Sequence, residues 1–151
     1  MLKRIILLLA ILSSFTGCTS KEDKAVLQQV SSSYKDMGII TESISAMELA
    51  ASFPRGAYWR NMSTDNALRE ADRLGAKMDA GVAAKKRIME SMAEIEVAVN
   101  DETWGGSPEL RDSVLKLTSI SSSRLETESR LRSAMYKFKE FLVSNGVDVE
   151  G

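Results

Sequence analysis

Histidine is absent from this 151-residue chain, and Cys18 is its only cysteine. The usual general base, the histidine-activated thiol and the common transition-metal ligands are therefore missing, and one thiol cannot build an intrachain disulfide framework. No catalytic residue, metal or cofactor site is expected, and the chain reads as a non-enzyme. Charge of one sign is lacking too. Twenty Lys and Arg stand against 21 Asp and Glu, mixed along the chain, whereas a binder of phosphate backbones shows a net basic face; no nucleic-acid partner is expected. Lys85-Lys86-Arg87 is the one basic cluster and reads as solvated helix surface. Proline is confined to Pro54 and Pro108, each beside glycine and aromatic residues. Glycine-rich phosphate loops, Ca²⁺ loops and nucleotide fingerprints are lacking as well.

The N-terminus carries the most specific signal. Lys3 and Arg4 precede an apolar run from Ile5 to Phe15, followed by Thr16-Gly17-Cys18. A run of about eleven residues is far short of the roughly twenty that span a bilayer, so it reads as the apolar core of a cleaved export signal. Phe15-Thr16-Gly17-Cys18 resembles the lipobox of bacterial lipoproteins, although that family prefers Leu where Phe15 stands. The resemblance implies removal of residues 1–17 and a lipidated N-terminus at 18–19, with diacylglycerol and an N-acyl chain on Cys18 as the only attached groups. Three acyl chains exceed the two signals that stable anchoring requires. Thr19 stands where enterobacterial lipoproteins use Asp for inner-membrane retention, so the resemblance favours the outer membrane.

The remaining residues, 20–151, read as one all-α domain with a net charge of about −3. Ser20-x-x-Asp23 is a capping pattern, after which Val26, Val30, Met37, Ile40, Ile44, Met47 and Ala51 alternate in steps of three and four, with a gap at Ser33. Ser63-Thr64-Asp65-Asn66 offers the next caps before Ala67, Ala71, Leu74, Met78, Gly81, Lys85, Ile88, Met92, Ile95 and Val99. Ser107-Pro108-Glu109 opens a third segment with Leu110, Val114, Leu117, Leu131, Met135, Phe138 and Leu142, stopped at Asn145-Gly146. The pattern predicts helices over about 20–52, 64–100 and 108–145, each roughly 45–55 Å long. Short loops then give an up-down-up bundle of three antiparallel helices with coiled-coil-like packing. An elongated hairpin that forms a homodimer is the competing arrangement. The methionines on or beside the stripes, together with Gly38, Gly75 and Gly81, suggest a pliable core.

Two constellations follow from aligning these helices. Lys85 falls level with Ser33 on the first helix and with Ser121, Arg124 and Glu128 on the third, which predicts a polar core layer with a Lys85–Glu128 ion pair. The same layer would serve as a pocket for a small anion. The loop Phe53-Pro54-Arg55-Gly56-Ala57-Tyr58-Trp59-Arg60 falls at the end far from Cys18, and Arg55, Tyr58, Trp59 and Arg60 have the composition of a partner-binding hot spot. The aromatic residues could instead close the core. Ser32-x-x-Lys35 matches the S-x-x-K motif of serine β-lactamases, but the companion S-D-N and K-T-G elements are missing and the chain is too short for that fold. The expected function is a non-enzymatic, outer-membrane lipoprotein facing the periplasm, tethered through its lipid and acting as an adaptor or assembly factor for another envelope protein. A surface-exclusion or inhibitor lipoprotein, and a carrier of a small or lipidic ligand, are the alternatives.

Overall fold

The computed structural model describes residues 19–149. The export signal, the lipobox and Cys18 lie outside the described residues. Every regular element among the described residues is helical: α1 (Lys21–Ala51), α2 (Thr64–Asn100), α3 (Pro108–Thr118), a 3₁₀ turn (Ser122–Leu125) and α4 (Glu128–Ser144). Among the described residues, no helix is long and apolar enough to cross a membrane.

The caps explain the boundaries. The Asp23 amide donates to Ser20 Oγ at 3.0 Å, the Asn66 amide to Ser63 Oγ at 3.4 Å and the Leu110 amide to Ser107 Oγ at 3.2 Å, with Pro108 in the first turn of α3. Each serine satisfies one amide that the first helical turn leaves without a partner. At the other end Gly146 takes φ +75°, and the Val147 amide reaches back to the Leu142 carbonyl at 2.9 Å. Val147 then packs on the core, as a C-terminal glycine cap favours.

α1 and α2 form one long antiparallel hairpin. Cross-helix contacts pair Gln29 with Glu94, Asp36 with Arg87, and Ser43 with Met78. Gly81 lies directly against Ser43, where any added Cβ would run into the serine side chain. This glycine sets how closely the two helices approach, so it is not a source of slack.

The third long helix is not formed, and the up-down-up reading is corrected here. Residues 108–126 do run beside α2, from Arg111 near Asn100 to Glu126 on Lys85. Helix α3 nevertheless ends at Thr118, because the run Thr118-Ser119-Ile120-Ser121-Ser122-Ser123 offers hydroxyls that compete with the backbone. Thr118 and Ser119 donate to the carbonyls of Leu115 and Lys116, and Ser121 bonds Ser123. Leu125, 1 % exposed, pins the 3₁₀ turn to the core. Helix α4 then folds back on α3, with Leu117 beside Phe138 and Ser113 beside Phe141. It returns along α1, placing Met135 at Thr41 and Val147 at Leu27.

The molecule is therefore stepped. Its proximal half, around residues 23–41 of α1, has a four-helix cross-section filled by Val30, Met37, Ile88, Met92, Leu131, Phe138 and Leu142. Its distal half is the α1–α2 hairpin alone, held by a separate cluster of Ala46, Trp59 and Leu74. The end of α4, which a continuous third helix would carry to the distal tip, lies at the opposite pole.

Candidate interaction surface

The distal tip is built around one indole. Trp59 is 6 % exposed and donates through Nε1 to the Leu49 carbonyl at 2.9 Å and to Ser52 Oγ at 3.1 Å. Those acceptors belong to the last turn and C-cap of α1, so the side chain both fills the end of the hairpin and caps it. Phe53 and Tyr58 stand edge-on to its ring at centroid distances of 5.2 and 5.4 Å. Trp59 was expected among the partner-contact residues; it is the plug of the distal core, because a two-helix end has no other way to cover Leu74 and Ala46.

The other three expected residues are at the surface. Arg55, Tyr58 and Arg60 are exposed, and so is Phe53 at 58 %. Tyr58 Oη donates to Glu70 Oε1 at 2.6 Å, and Arg73 Nε donates to the same carboxylate at 2.7 Å. The guanidinium, then the phenol, hold the Glu70 carboxyl at about 2 against an ordinary 4.5, while the carboxylate pushes the Tyr58 phenol upward. Arg60 reaches only the Arg55 carbonyl, and neither arginine meets a carboxylate among the described residues. The tip therefore presents two cations and two aromatic faces on a braced platform.

The expected polar layer does not form a core. Ser33 is buried at 2 %, but Ser121, Arg124 and Glu128 are exposed, since the first two occupy the link between α3 and α4 and the third opens α4. The Lys85–Glu128 pair is replaced by Lys85–Glu126 at 2.7 Å, and Glu128 bonds Arg132 one turn on at 2.6 Å. Starting a new helix at Glu128 rotates that side chain away from α2, whereas Glu126 stays beside it. The lysine holds the Glu126 carboxyl below its ordinary range. Sequence reasoning missed two ionic contacts between α1 and α2: Lys77–Glu42 at 2.9 Å and, more deeply placed, Asp36–Arg87, bidentate at 2.7 and 3.0 Å with Asp36 9 % exposed. The signal of the latter was an acid adjoining the apolar stripe, level with an arginine once the hairpin register is known.

Elsewhere the surface is shallow. The groove between α1 and α4, about 330 Å³ and lined by Tyr34, Thr41, Leu131, Arg132, Met135 and Tyr136 among others, is open to solvent. Ser32 and Lys35 are exposed on α1 without a hydrogen bond between them. Among the described residues no group of three His, Cys, Asp or Glu is placed to hold a metal ion. At the proximal end Asp23 accepts the Ser107 amide at 2.9 Å, tying the start of α1 to the α2–α3 loop, and Trp104 Nε1 is buried there without a partner among the described residues. No family model, curated protein or solved structure matches this chain.

Proposed function

We propose that this chain is a lipid-anchored, non-enzymatic envelope protein, tethered through Cys18 to the outer membrane and facing the periplasm, whose distal half binds another protein as an adaptor or assembly factor. The observation that carries the reading is the step in the bundle. A four-helix base stands nearest residue 19, and a two-helix arm projects from it, ending in exposed Phe53, Arg55, Tyr58 and Arg60 around a buried Trp59. Rigid aromatic and arginine side chains on a packed platform are what binding hot spots require. The base supplies stability, the arm supplies reach, and no enclosed site is needed.

Crosslinking in living cells from a photoreactive residue at Tyr58 tests it. The expected result is a discrete envelope protein in the adduct, lost on Arg55→Ala. Absence of any heterologous adduct, with the protein present and folded, would overturn the adaptor role. Labelling with radioactive palmitate, lost on Cys18→Ser, tests the anchor separately.

A further inference from the structure

We infer that the cleft between α3 and α4 is a binding site for one phosphate group, free or carried as a monoester. The site belongs to the base of the molecule, and it depends neither on the adaptor role of the arm nor on the lipid anchor.

Three elements supply the cations. Lys116 comes from the last turn of α3, Arg124 from the 3₁₀ turn and Lys137 from the middle of α4, and all three line one cleft of about 100 Å³. Its floor is Leu117, Ala134 and Phe138, none more than 5 % exposed, and an apolar floor under charges of one sign concentrates their field. The scaffold is firm. Leu125, 1 % exposed, pins the turn that carries Arg124, and Phe138, equally buried, pins α4 one residue after Lys137. No carboxylate lines the cleft, and none of the three cations has an ionic partner among the described residues. Nor does the end of α3 need them as donors: the carbonyls of Leu115, Lys116 and Leu117 already accept from Thr118 Oγ1, Ser119 Oγ and the Ile120 amide, each at 3.1 Å. Gathering three like charges on fixed elements costs free energy unless an anion offsets it. Of the polar layer expected from the sequence, only Arg124 takes part.

Charge and size decide the ligand. The C-terminal end of α3 contributes about half a negative charge. Glu140, which lines the adjoining groove without an ionic contact among the described residues, contributes one more. Against three cations that leaves a surplus of about 1.5 charges, which a phosphate monoester, at about −1.5 to −2 near neutral pH, neutralises. Its three terminal oxygens can accept from the planar fork of Arg124 and from both lysines, whereas a carboxylate brings one charge and two oxygens. A cleft of about 100 Å³ has the volume of roughly three waters, room for one phosphate group and well below the roughly 300 Å³ at which sites for whole small molecules begin. The adjoining groove, about 430 Å³ and lined by Ser113, Phe141 and Ser144 among others, shares Lys116 and Lys137 with the cleft, so the organic part of a monoester has a place to lie. Glu140 on that groove disfavours a second phosphate.

An NMR titration of the full chain in a non-ionic detergent, near neutral pH and at fixed ionic strength, tests the site with inorganic phosphate, glycerol phosphate and acetate as probes. Inorganic phosphate should give saturable amide shifts confined to residues 116–124 and 134–138. Lys116→Ala, Arg124→Ala and Lys137→Ala should each weaken binding about fivefold or more with helicity unchanged. Lys77→Ala removes the same charge from the arm and should leave the affinity within about twofold. Acetate should bind at least about tenfold more weakly than phosphate. Equal affinities for the two phosphates would mark free phosphate as the ligand. Tighter binding of glycerol phosphate, with further shifts at Ser113, Phe141 and Ser144, would mark a monoester, and either result supports the site. Shifts that fail to saturate, that scatter over the exposed lysines at large, that survive the three substitutions, or that acetate reproduces at equal concentration overturn the proposal.

Discussion

Replacing Trp59 separates a plug from a contact residue. The indole is 6 % exposed, meets the two flanking rings edge-on and packs with Ala46 and Leu74. Truncation to alanine removes nearly all of that side chain from an end with no second layer behind it, and large-to-small changes of this kind cost about 3–5 kcal/mol. Trp59→Phe keeps one aromatic ring in the plug and deletes the pyrrole ring with its donor. The Leu49 carbonyl still accepts from Ser52 Oγ at 2.7 Å and from the Ser52 amide at 3.2 Å, so no buried acceptor is orphaned and the cost falls to about 1 kcal/mol. The two core clusters are separate, so the damage should also be local. Denaturant unfolding gives the magnitudes. Hydrogen exchange read by mass spectrometry should show protection lost across residues 44–78 and kept across 85–99 and 131–142. A loss below about 1 kcal/mol for Trp59→Ala, or a uniform loss of protection, would refute the two-cluster account.

Three further outcomes follow from particular contacts. Gly38→Ala, at a helical position with nothing within 4 Å, should stabilise by up to about 1 kcal/mol, whereas Gly81→Ala should destabilise, because its Cβ meets Ser43; thermal melts of both variants check the pair. A double-mutant cycle of Lys85→Met with Glu126→Gln should show coupling, and the same cycle with Glu128→Gln should be additive, since Glu128 bonds Arg132. Glu70 has a folded value of about 2, below its ordinary 4.5, so its contribution is present above pH 4.5 and lost as pH falls toward 2; a side-chain carboxyl titration by NMR, with Arg73→Gln moving the midpoint upward, checks the sign.

Local chemistry made much of this fold legible. Ser20, Ser63 and Ser107-Pro108 mark helix starts, Gly146 marks a stop, and the proximal stripes, Val26 to Ile44 on α1 and Ile88 to Val99 on α2, are buried where their spacing places them, whereas the stripe members Met47, Ala51 and Ala71 are exposed. The break in the third segment was not read, because an apolar gap from Leu117 to Leu131 has two explanations. A polar layer in a continuous helix leaves the same gap as a link between two helices. The serine run and buried Leu125, which falls out of the helical stripe, favour the link, but only the fold-back of α4 onto α3 decides it. That one misreading moved the C-terminus from the tip to the base and turned exposed link residues into a core layer. Trp59 was ambiguous for a similar reason: a tryptophan in a loop at a bundle end serves equally as anchor or plug, and burial depends on how many helices reach that height. Arg55, Tyr58 and Arg60 remain at the surface because no third helix reaches them.

The distance between Ser144 and Asp65 tests the stepped architecture most directly. The functional reading depends on that architecture. Both residues are exposed, and spin labels on cysteines placed there, with Cys18→Ser, report their separation by pulsed electron paramagnetic resonance. With α4 folded back, Ser144 lies beside Ser113 near the base, and the rise along α2 sets the two labels about 45 Å apart. A continuous third helix would carry Ser144 up to the level of Asp65, and a separation under about 20 Å would contradict the step, the exposed arm and the surface assigned to it.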